Sequence, residues 1–306
     1  MRLDTQRQKI SIRFFNGGEV RAVWDVDSVK WWFSVIDVVA ALSGSGDARN
    51  YWYVLKNRLK KSAPEILTAC KGFKLPAPDG KRRLTDCFDS EGVVALAKKF
   101  PGTKAIAFLD WFLYSDNTID GQSKKKAYAL FESGMLSCLE PGSIECLQQI
   151  HGFLFGGLYD FAGRIRDKNI SKGGFTFANA LHFDRILPTI EAMPETTFDE
   201  IVDKYIEMNV AHPFMEGNGR STRIWLDLML KRSIKCCVDW SRVNKNAYLD
   251  AMRKSVTDGG ELKSLLKDAL TSKINDREVF MKGIDYSYYY ESDDDVEPDG
   301  LLSPPK

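Results

Sequence analysis

"AHPFMEGNGRSTR", residues 211–223, puts one histidine, one carboxylate, a Gly-Asn-Gly turn and two arginines into one short run. The segments on either side repeat their apolar residues at helical spacing. The stretch therefore reads as helix, loop, helix, with Pro213 ending the first helix and the second starting near Asn218. Gly217-Asn218-Gly219 then lies at a helix N-terminus, where free N–H groups and the positive end of the helix dipole attract an anion. Glycine also lets a ligand approach the backbone closely. Arg220 and Arg223, one turn apart, can grip phosphate oxygens with planar forks. Glu216 beside them suits Mg²⁺, which is usually held by one or two carboxylates plus substrate phosphates. His212 is of the residue type whose unperturbed pKa, about 6.5, allows it to accept a proton near neutral pH. Singly, these groups read as a polar helix end, a turn and a solvated face. Their uninterrupted conjunction points to a site.

Working outward, residues beyond 120 predict helices over 143–159, 180–193, 197–210, 218–232, 244–256 and 260–272, with a non-helical stretch at 168–178. The tail "ESDDDVEPDGLLSPPK" is acidic, then rich in Pro and Gly, and is expected to be disordered. Towards the N-terminus the pattern changes. "KISIRFF" (9–15) alternates like a strand and Gly17-Gly18 supplies a turn before a second strand, Val20 to Trp24. Trp31 to Leu42 predicts a helix with Val35, Val38, Val39 and Leu42 on one face and Ser34 or Asp37 as cap, and Asn50 to Lys61 predicts a basic amphipathic helix. "FKLPAPDGKRRLTDCF" reads as strand, turn at Pro78-Asp79-Gly80, and strand, before "SEGVVALAKKF" returns to helix. The polar stretch Tyr114 to Tyr128 is a linker or an exposed helix start.

A chain of 306 residues and 34.7 kDa favours two domains. Residues 1–115 hold 19 Lys and Arg against 12 Asp and Glu, a surplus of +7, and the remainder 24 against 30, or −6. The halves are thus expected to meet different partners. Six scattered cysteines without a Cys-x-x-Cys pair imply free thiols, a reducing cytoplasm and no zinc site. No stretch approaches the roughly 20 apolar residues of a membrane helix, so a soluble protein is expected.

The central stretch resembles the Fic family, whose signature is His-x-Phe-x-(Asp/Glu)-Gly-Asn-Gly-Arg-x-x-Arg; His212, Phe214, Glu216, Gly217, Asn218, Gly219, Arg220 and Arg223 fill every position. The resemblance extends over "IHGFLFGGLYDFAGRIR" (150–166), "NISKGGFTFANA" (169–180) and "DWSRVNKNAYLDAM" (239–252), covering roughly residues 125–291. It implies a protein adenylyltransferase that moves AMP from ATP, with Mg²⁺, to a hydroxyl side chain of a target protein. His212 would deprotonate that hydroxyl and Phe214 would pack the loop into the core. Glu216 would bind Mg²⁺, while the amides of Gly217 to Gly219, the Asn218 side chain and Arg220 would hold the α- and β-phosphates and Arg223 the γ-phosphate. Lys172, Gly173, Gly174 and Phe175 would form a flap that docks the target, and Tyr248 and Met252 an adenine pocket. Kinase-type relatives usually carry Lys in place of Gly219, so AMP transfer is favoured over phosphorylation, with CDP-choline or UTP as alternative donors.

Ser287 and Glu291, spaced i, i+4 in "IDYSYYYESDD", share one side of a helix. The pair resembles the Ser-x-x-x-Glu inhibitory motif of Fic proteins, whose glutamate pairs with the second motif arginine, here Arg223; Ser292 stands where that motif often has Gly or Asn. Tyr288, Tyr289 and Tyr290 beside it are candidate self-modification targets. The N-terminal segments resemble the Bro-N domain of phage antirepressors over roughly 9–113, which implies DNA binding, with a protein partner as the alternative. Arg49, Lys56, Arg58, Lys60, Lys61, Lys81, Arg82 and Arg83 would contact phosphates, with Trp31, Trp32, Tyr51 and Trp52 in the core. The resulting expectation is an N-terminal α+β Bro-N-like domain (1–118) and a mostly α-helical Fic domain with a short β-hairpin flap (119–280). An inhibitory helix (281–292) and the acidic tail (293–306) follow. The target is open, a topoisomerase subunit being the family analogy, and so is homo-oligomerisation. The competing reading is a DNA-binding regulator with a non-catalytic Fic scaffold.

Overall fold

The computed structural model describes residues 9–77, 81–172, 174–291 and 297–298. The turn expected at Pro78-Asp79-Gly80, Gly173 of the flap, Ser292 and the rest of the 293–306 tail lie outside the described residues. The chain divides into two units between Thr118 and Ile119.

In the first unit, β1 (Lys9–Phe15) pairs antiparallel with β2 (Gly18–Asp25) across Asn16-Gly17, whose φ values of 47° and 77° fit the tight turn of a hairpin. β3 (Lys30–Ser34) adds to β2, followed by α1 (Val35–Ser43), α2 (Ala48–Ser62), α3 (Pro64–Thr68), β4 (Lys71–Pro76), β5 (Arg82–Phe88), α4 (Ser90–Ala97) and α5 (Thr103–Tyr114). The strands form one antiparallel sheet, β1-β2-β3-β5-β4. The helix expected from Trp31 starts only at Val35. Trp31 to Ser34 are extended because Phe33 pairs with Ala22 on one side and Phe88 on the other, and Ser34 Oγ then caps α1 by accepting from Asp37 N. Val35, Val38, Val39 and Leu42 are buried as expected. Of the aromatic residues assigned to the core, Trp52 is buried, Trp31 and Trp32 are half-buried, and Tyr51 is exposed and stacks on Phe100.

The second unit begins with α6 (Ile119–Glu132), so of the two readings of the polar stretch the helix start holds: it is the end of α5, a 3-10 turn at Ser115–Asn117 and the first turns of α6. There follow α7 (Ile144–Phe155), the hairpin β6 (Ile170–Lys172) and β7 (Phe175–Thr176), α8 (Phe183–Glu191), α9 (Phe198–Ala211), α10 (Asn218–Ile234), β8 (Cys237–Val238), α11 (Lys245–Lys254), α12 (Gly260–Asp268), β9 (Leu270–Thr271), α13 (Arg277–Glu291) and β10 (Glu297–Pro298). The helix expected over 143–159 stops at Phe155, where Gly157 takes a φ of 76°. That expected over 260–272 stops at Asp268, because Leu270 and Thr271 pair with β8. The tail expected to be disordered contributes β10, which pairs with β6.

α10 is the axis of this unit. Ile224, Trp225, Leu226, Leu228, Met229 and Leu230 are all buried, so apolar residues cover most of its circumference and it is enclosed by neighbours. α9 enters with a capping box, Thr197 Oγ accepting from Glu200 N and Glu200 Oε2 from Thr197 N. Its inner face, with Ile201, Val202, Tyr205 and Met208, joins the same core. The 212–217 loop is therefore fixed at both ends by buried helices.

Candidate active site

The loop opens with His212, which ends α9 in the left-handed region at φ 52° and ψ 63°, its N–H donating to Met208 O. A non-glycine residue held there is uncommon and needs surrounding support. Phe214 then turns inward and is fully buried, contributing about 1.5–3 kcal/mol by leaving water. Its ring stacks on His151 of α7 at 3.8 Å between centroids. His151 is itself fully buried: its Nδ1 accepts from Gly163 N at 2.8 Å, so Nε2 carries the proton and donates to Glu216 O at 2.8 Å. Asn218 closes the loop, with Oδ1 accepting from Phe214 N at 2.8 Å and Nδ2 donating to Phe214 O at 2.7 Å. Expected among the phosphate ligands, the Asn218 side chain is here a strut of the loop.

Gly217 must be glycine twice over. Its φ is 79°, and a Cβ there would strike the Phe155 ring. α10 starts after it with no side-chain cap, so its first amides remain available, in the arrangement that binds anions. Arg220 is buried, its guanidinium lying between the rings of Phe155 (5.0 Å) and Tyr288 (5.3 Å). It donates to Glu216 Oε1 at 2.7 Å and to Asp120 of α6. Its Nε has no hydrogen-bond partner among the described residues.

Arg223 faces α13. Its Nε donates to Ser287 Oγ at 2.7 Å, and Nη2 donates to Ser287 O at 2.9 Å and to Glu291 Oε1 at 2.5 Å. The Glu291 carboxylate also covers the start of α10, since a Cβ on Gly219 would run into it. Burial alone would push the Glu291 pKa up; Arg223, then Lys172 and Arg220, outweigh it and hold the carboxyl down at about 2. Burial likewise opposes the charge on Arg223, but Glu291 keeps its pKa above the ordinary value.

Above the loop, β6 and β7 form the short hairpin with Lys172 opposite Phe175. Phe177, just beyond it, stacks flat on His212 at 3.7 Å. His212 Nδ1 faces Asn209 O at 3.2 Å, which places its proton on Nδ1 and leaves Nε2 as the proton acceptor. Burial chiefly pushes the His212 pKa down to about 3, with Lys172 and Arg166 adding to the effect against Asn209 O and Glu291, so the ring is neutral at physiological pH. A cavity of about 390 Å³ joins these parts, lined by Lys172, His212, Gly219, Arg223, Tyr248 and Met252 among others. Tyr248 is nearly fully buried, bonded through its hydroxyl to Tyr205 at 2.6 Å and stacked on Tyr290 at 5.2 Å. Of the three tyrosines considered for self-modification, Tyr288 bonds Ser123 and Tyr290 donates to Trp240 O and Val243 O, both buried, while Tyr289 is half-buried beside Lys245.

Sequence reading missed His151, Asp120, Arg166 and Phe177. The one signal was that His151 is among only three histidines. Its burial has a measurable consequence. Desolvation, mainly, lowers its pKa from 6.5 to about 4, so between those values the unfolded chain binds more protons than the folded one. The stability that is complete above pH 6.5 is expected to fall by about 3 kcal/mol towards pH 4 from this residue. Urea unfolding at pH 7 and pH 4.5 checks it: His151→Gln, which keeps a donor and an acceptor but cannot titrate, should lose less stability than the wild type.

The Fic/DOC family model matches residues 141–230. Protein adenylyltransferase VbhT of Bartonella schoenbuchensis is 30% identical over 149 residues, which are 44% of this chain and 30% of that protein. The chain thus spans under a third of that relative's length. A probable protein adenylyltransferase of Sinorhizobium fredii, y4lH, is 28% identical over 140 residues, 41% of this chain and 72% of that one. Among solved structures, BepC of Bartonella tribocorum with bound AMPPNP aligns at a TM-score of 0.43 and 19% identity, covering 56% of this chain and 92% of that one. No helix among the described residues is long and apolar enough to cross a membrane. Residues 141–230, which hold the His212–Arg223 loop and its braces His151 and Arg166, are a Fic domain.

Proposed function

We propose that this chain transfers AMP from ATP to a Ser, Thr or Tyr hydroxyl of a target protein, and that α13 holds the reaction off. The observation that carries this reading is one cavity in which a neutral histidine with a bare Nε2 meets an uncapped helix N-terminus and Arg223. In the proposed step the target hydroxyl oxygen bonds to the α-phosphorus, the bond from that phosphorus to the β-phosphate oxygen breaks, and the hydroxyl proton passes to His212 Nε2. Pyrophosphate leaves. The amides opening α10 and the Arg220 guanidinium, with its unpartnered Nε, suit the α- and β-phosphates, and Arg223 suits the γ-phosphate. Mg²⁺ fits the donor set: Glu216 is a single half-exposed carboxylate beside a phosphate site, and no trio of His, Cys, Asp or Glu among the described residues offers a closed metal cage. Such an ion would neutralise phosphate charge. The edge of the β6–β7 hairpin, with Phe175 exposed, suits an extended target segment.

The N-terminal unit is proposed to recruit a partner, DNA or a protein. Arg49, Arg58, Lys60 and Lys61 are exposed on α2, and Lys81, Arg82 and Arg83 are exposed at β5. Lys56 serves the fold instead, pairing with Asp86 at 2.6 Å over the Trp52 ring. A topoisomerase subunit is the first target to test, by family analogy.

The reaction is tested with ATP labelled at the α- or the γ-phosphate, Mg²⁺ and cell lysate, using the Glu291→Gly chain. Protein-bound label is expected from the α-position only, and unlabelled ATP should compete better than UTP or CDP-choline. Label from the γ-position would make the chain a kinase, and none from either would remove the ATP reading.

A further inference from the structure

Arg166 carries a buried positive charge whose partners are unusual. The residue is 4% exposed, and its side chain makes four hydrogen bonds, all to backbone carbonyls: Nε to His212 O (2.7 Å), Nη1 to Lys168 O (2.5 Å), and Nη2 to Ala178 O (2.6 Å) and Ala211 O (3.0 Å). Its own backbone N–H donates to Pro213 O at 2.8 Å. One residue therefore holds three consecutive carbonyls, at 211, 212 and 213. A lysine cannot span this set, because its donors radiate from a single nitrogen, whereas the guanidinium presents a rigid planar fork.

Those carbonyls belong to the end of α9, which has none of the following helical turn to satisfy them. They flank the residue that α9 delivers in the left-handed conformation, His212. Another of its carbonyls, Ala178 O, follows Phe177, whose ring lies on the His212 imidazole. Ala178 N in turn donates to Val210 O, so the segment that follows β7 is stitched to the last turn of α9. The Arg166 guanidinium rests on the Phe183 ring at 4.7 Å, which fixes its plane. It touches none of the phosphate-binding groups described above.

We infer that Arg166 is a positioning residue for the transfer step: by clamping the carbonyls around His212 and behind Phe177, it sets where the imidazole Nε2 stands relative to the incoming hydroxyl. This rests on the AMP-transfer reading, with His212 as base. Misplacing a reacting group by about 1 Å costs on the order of 100-fold in rate, so loss of the clamp should appear in kcat. ATP binding depends on α10 and its arginines, and should be spared.

The experiment compares Glu291→Gly with Glu291→Gly/Arg166→Lys and Glu291→Gly/Arg166→Gln. It measures kcat and KM for ATP with α-labelled ATP, the Kd for ATP by calorimetry, and imidazole ¹⁵N shifts with all histidines labelled. His212 is assigned by its loss in His212→Asn. The expected result is kcat down by about 30- to 100-fold in both variants, Kd for ATP within about threefold, and His212 resonances moved while those of His151 stay. Unchanged kcat with unchanged His212 shifts in a folded Arg166→Lys chain would overturn the inference. A parallel loss of ATP binding and of all three histidine signals would also overturn it, leaving Arg166 a folding residue only. If the Glu291→Gly parent itself incorporates no label, the transfer reading fails on its own, and the His212 shifts still decide whether Arg166 sets the imidazole.

Discussion

Replacing Glu291 with glycine is expected to raise AMP transfer by about 100- to 1,000-fold. The carboxylate does two things at once: it takes Arg223 Nη2 at 2.5 Å and covers the start of α10 over Gly219, where a phosphate would meet the first amides. A buried, hydrogen-bonded charge pair costs about 3–5 kcal/mol to break when one partner stays buried, and each 1.4 kcal/mol is a factor of ten. ATP bound in the productive pose must meet most of that cost in the wild type. Glycine at the last residue of α13 is tolerated there, and the helix keeps its other anchors. Asp285 is paired with Lys124 at 2.5 Å, Tyr288 with Ser123 at 2.5 Å, and Tyr290 with two carbonyls. The variant should therefore stay folded with Arg223 short of a counter-charge, and ATP should raise its melting temperature more than it raises that of the wild type. Label incorporation and ATP-dependent melting together check this. An unchanged rate in a variant that gains ATP affinity would mean that Glu291 does not restrain the chemistry.

What could be read in the sequence, and what could not, follows the distance over which each group finds its partner. The uncapped start of α10 depends on residues within one turn, so Gly217, Gly219, Arg220 and Arg223 announce it locally. The i, i+4 spacing of Ser287 and Glu291 likewise puts both on the side of α13 that meets Arg223. Their partner was supplied by family resemblance, because nothing local to α13 names an arginine in α10. His151 and Glu216 are 65 residues apart, Arg166 and His212 46, and Asp120 and Arg220 100, and no periodicity reports such pairings. At Asn218 the bracing role went unread for the opposite reason. Its partner, Phe214, is close by, but a side chain that braces its own loop and one that meets a ligand look alike in sequence. Trp31 to Ser34 failed as helix because two neighbouring strands, one distant in sequence, claim Phe33 from either side.

In the Glu291→Gly chain, His212→Asn is expected to cut transfer by about 100- to 10,000-fold, the usual contribution of a positioned proton acceptor, with little change in ATP affinity. The separation follows from the geometry. His212 turns Nδ1 to Asn209 O, which leaves Nε2 as its proton acceptor, whereas the groups proposed to hold phosphate belong to α10. Asparagine is chosen over alanine because it is among the few residues that accept the left-handed backbone, so the φ of 52° at this position should not distort the loop. His212→Ala should lose activity equally but also some stability. The comparison of the two separates proton transfer from loop strain: if the asparagine variant kept most of the rate while the alanine variant did not, His212 would matter as a hinge and the base would have to be sought elsewhere. Equal loss in both, with the Kd for ATP unmoved, requires the imidazole itself.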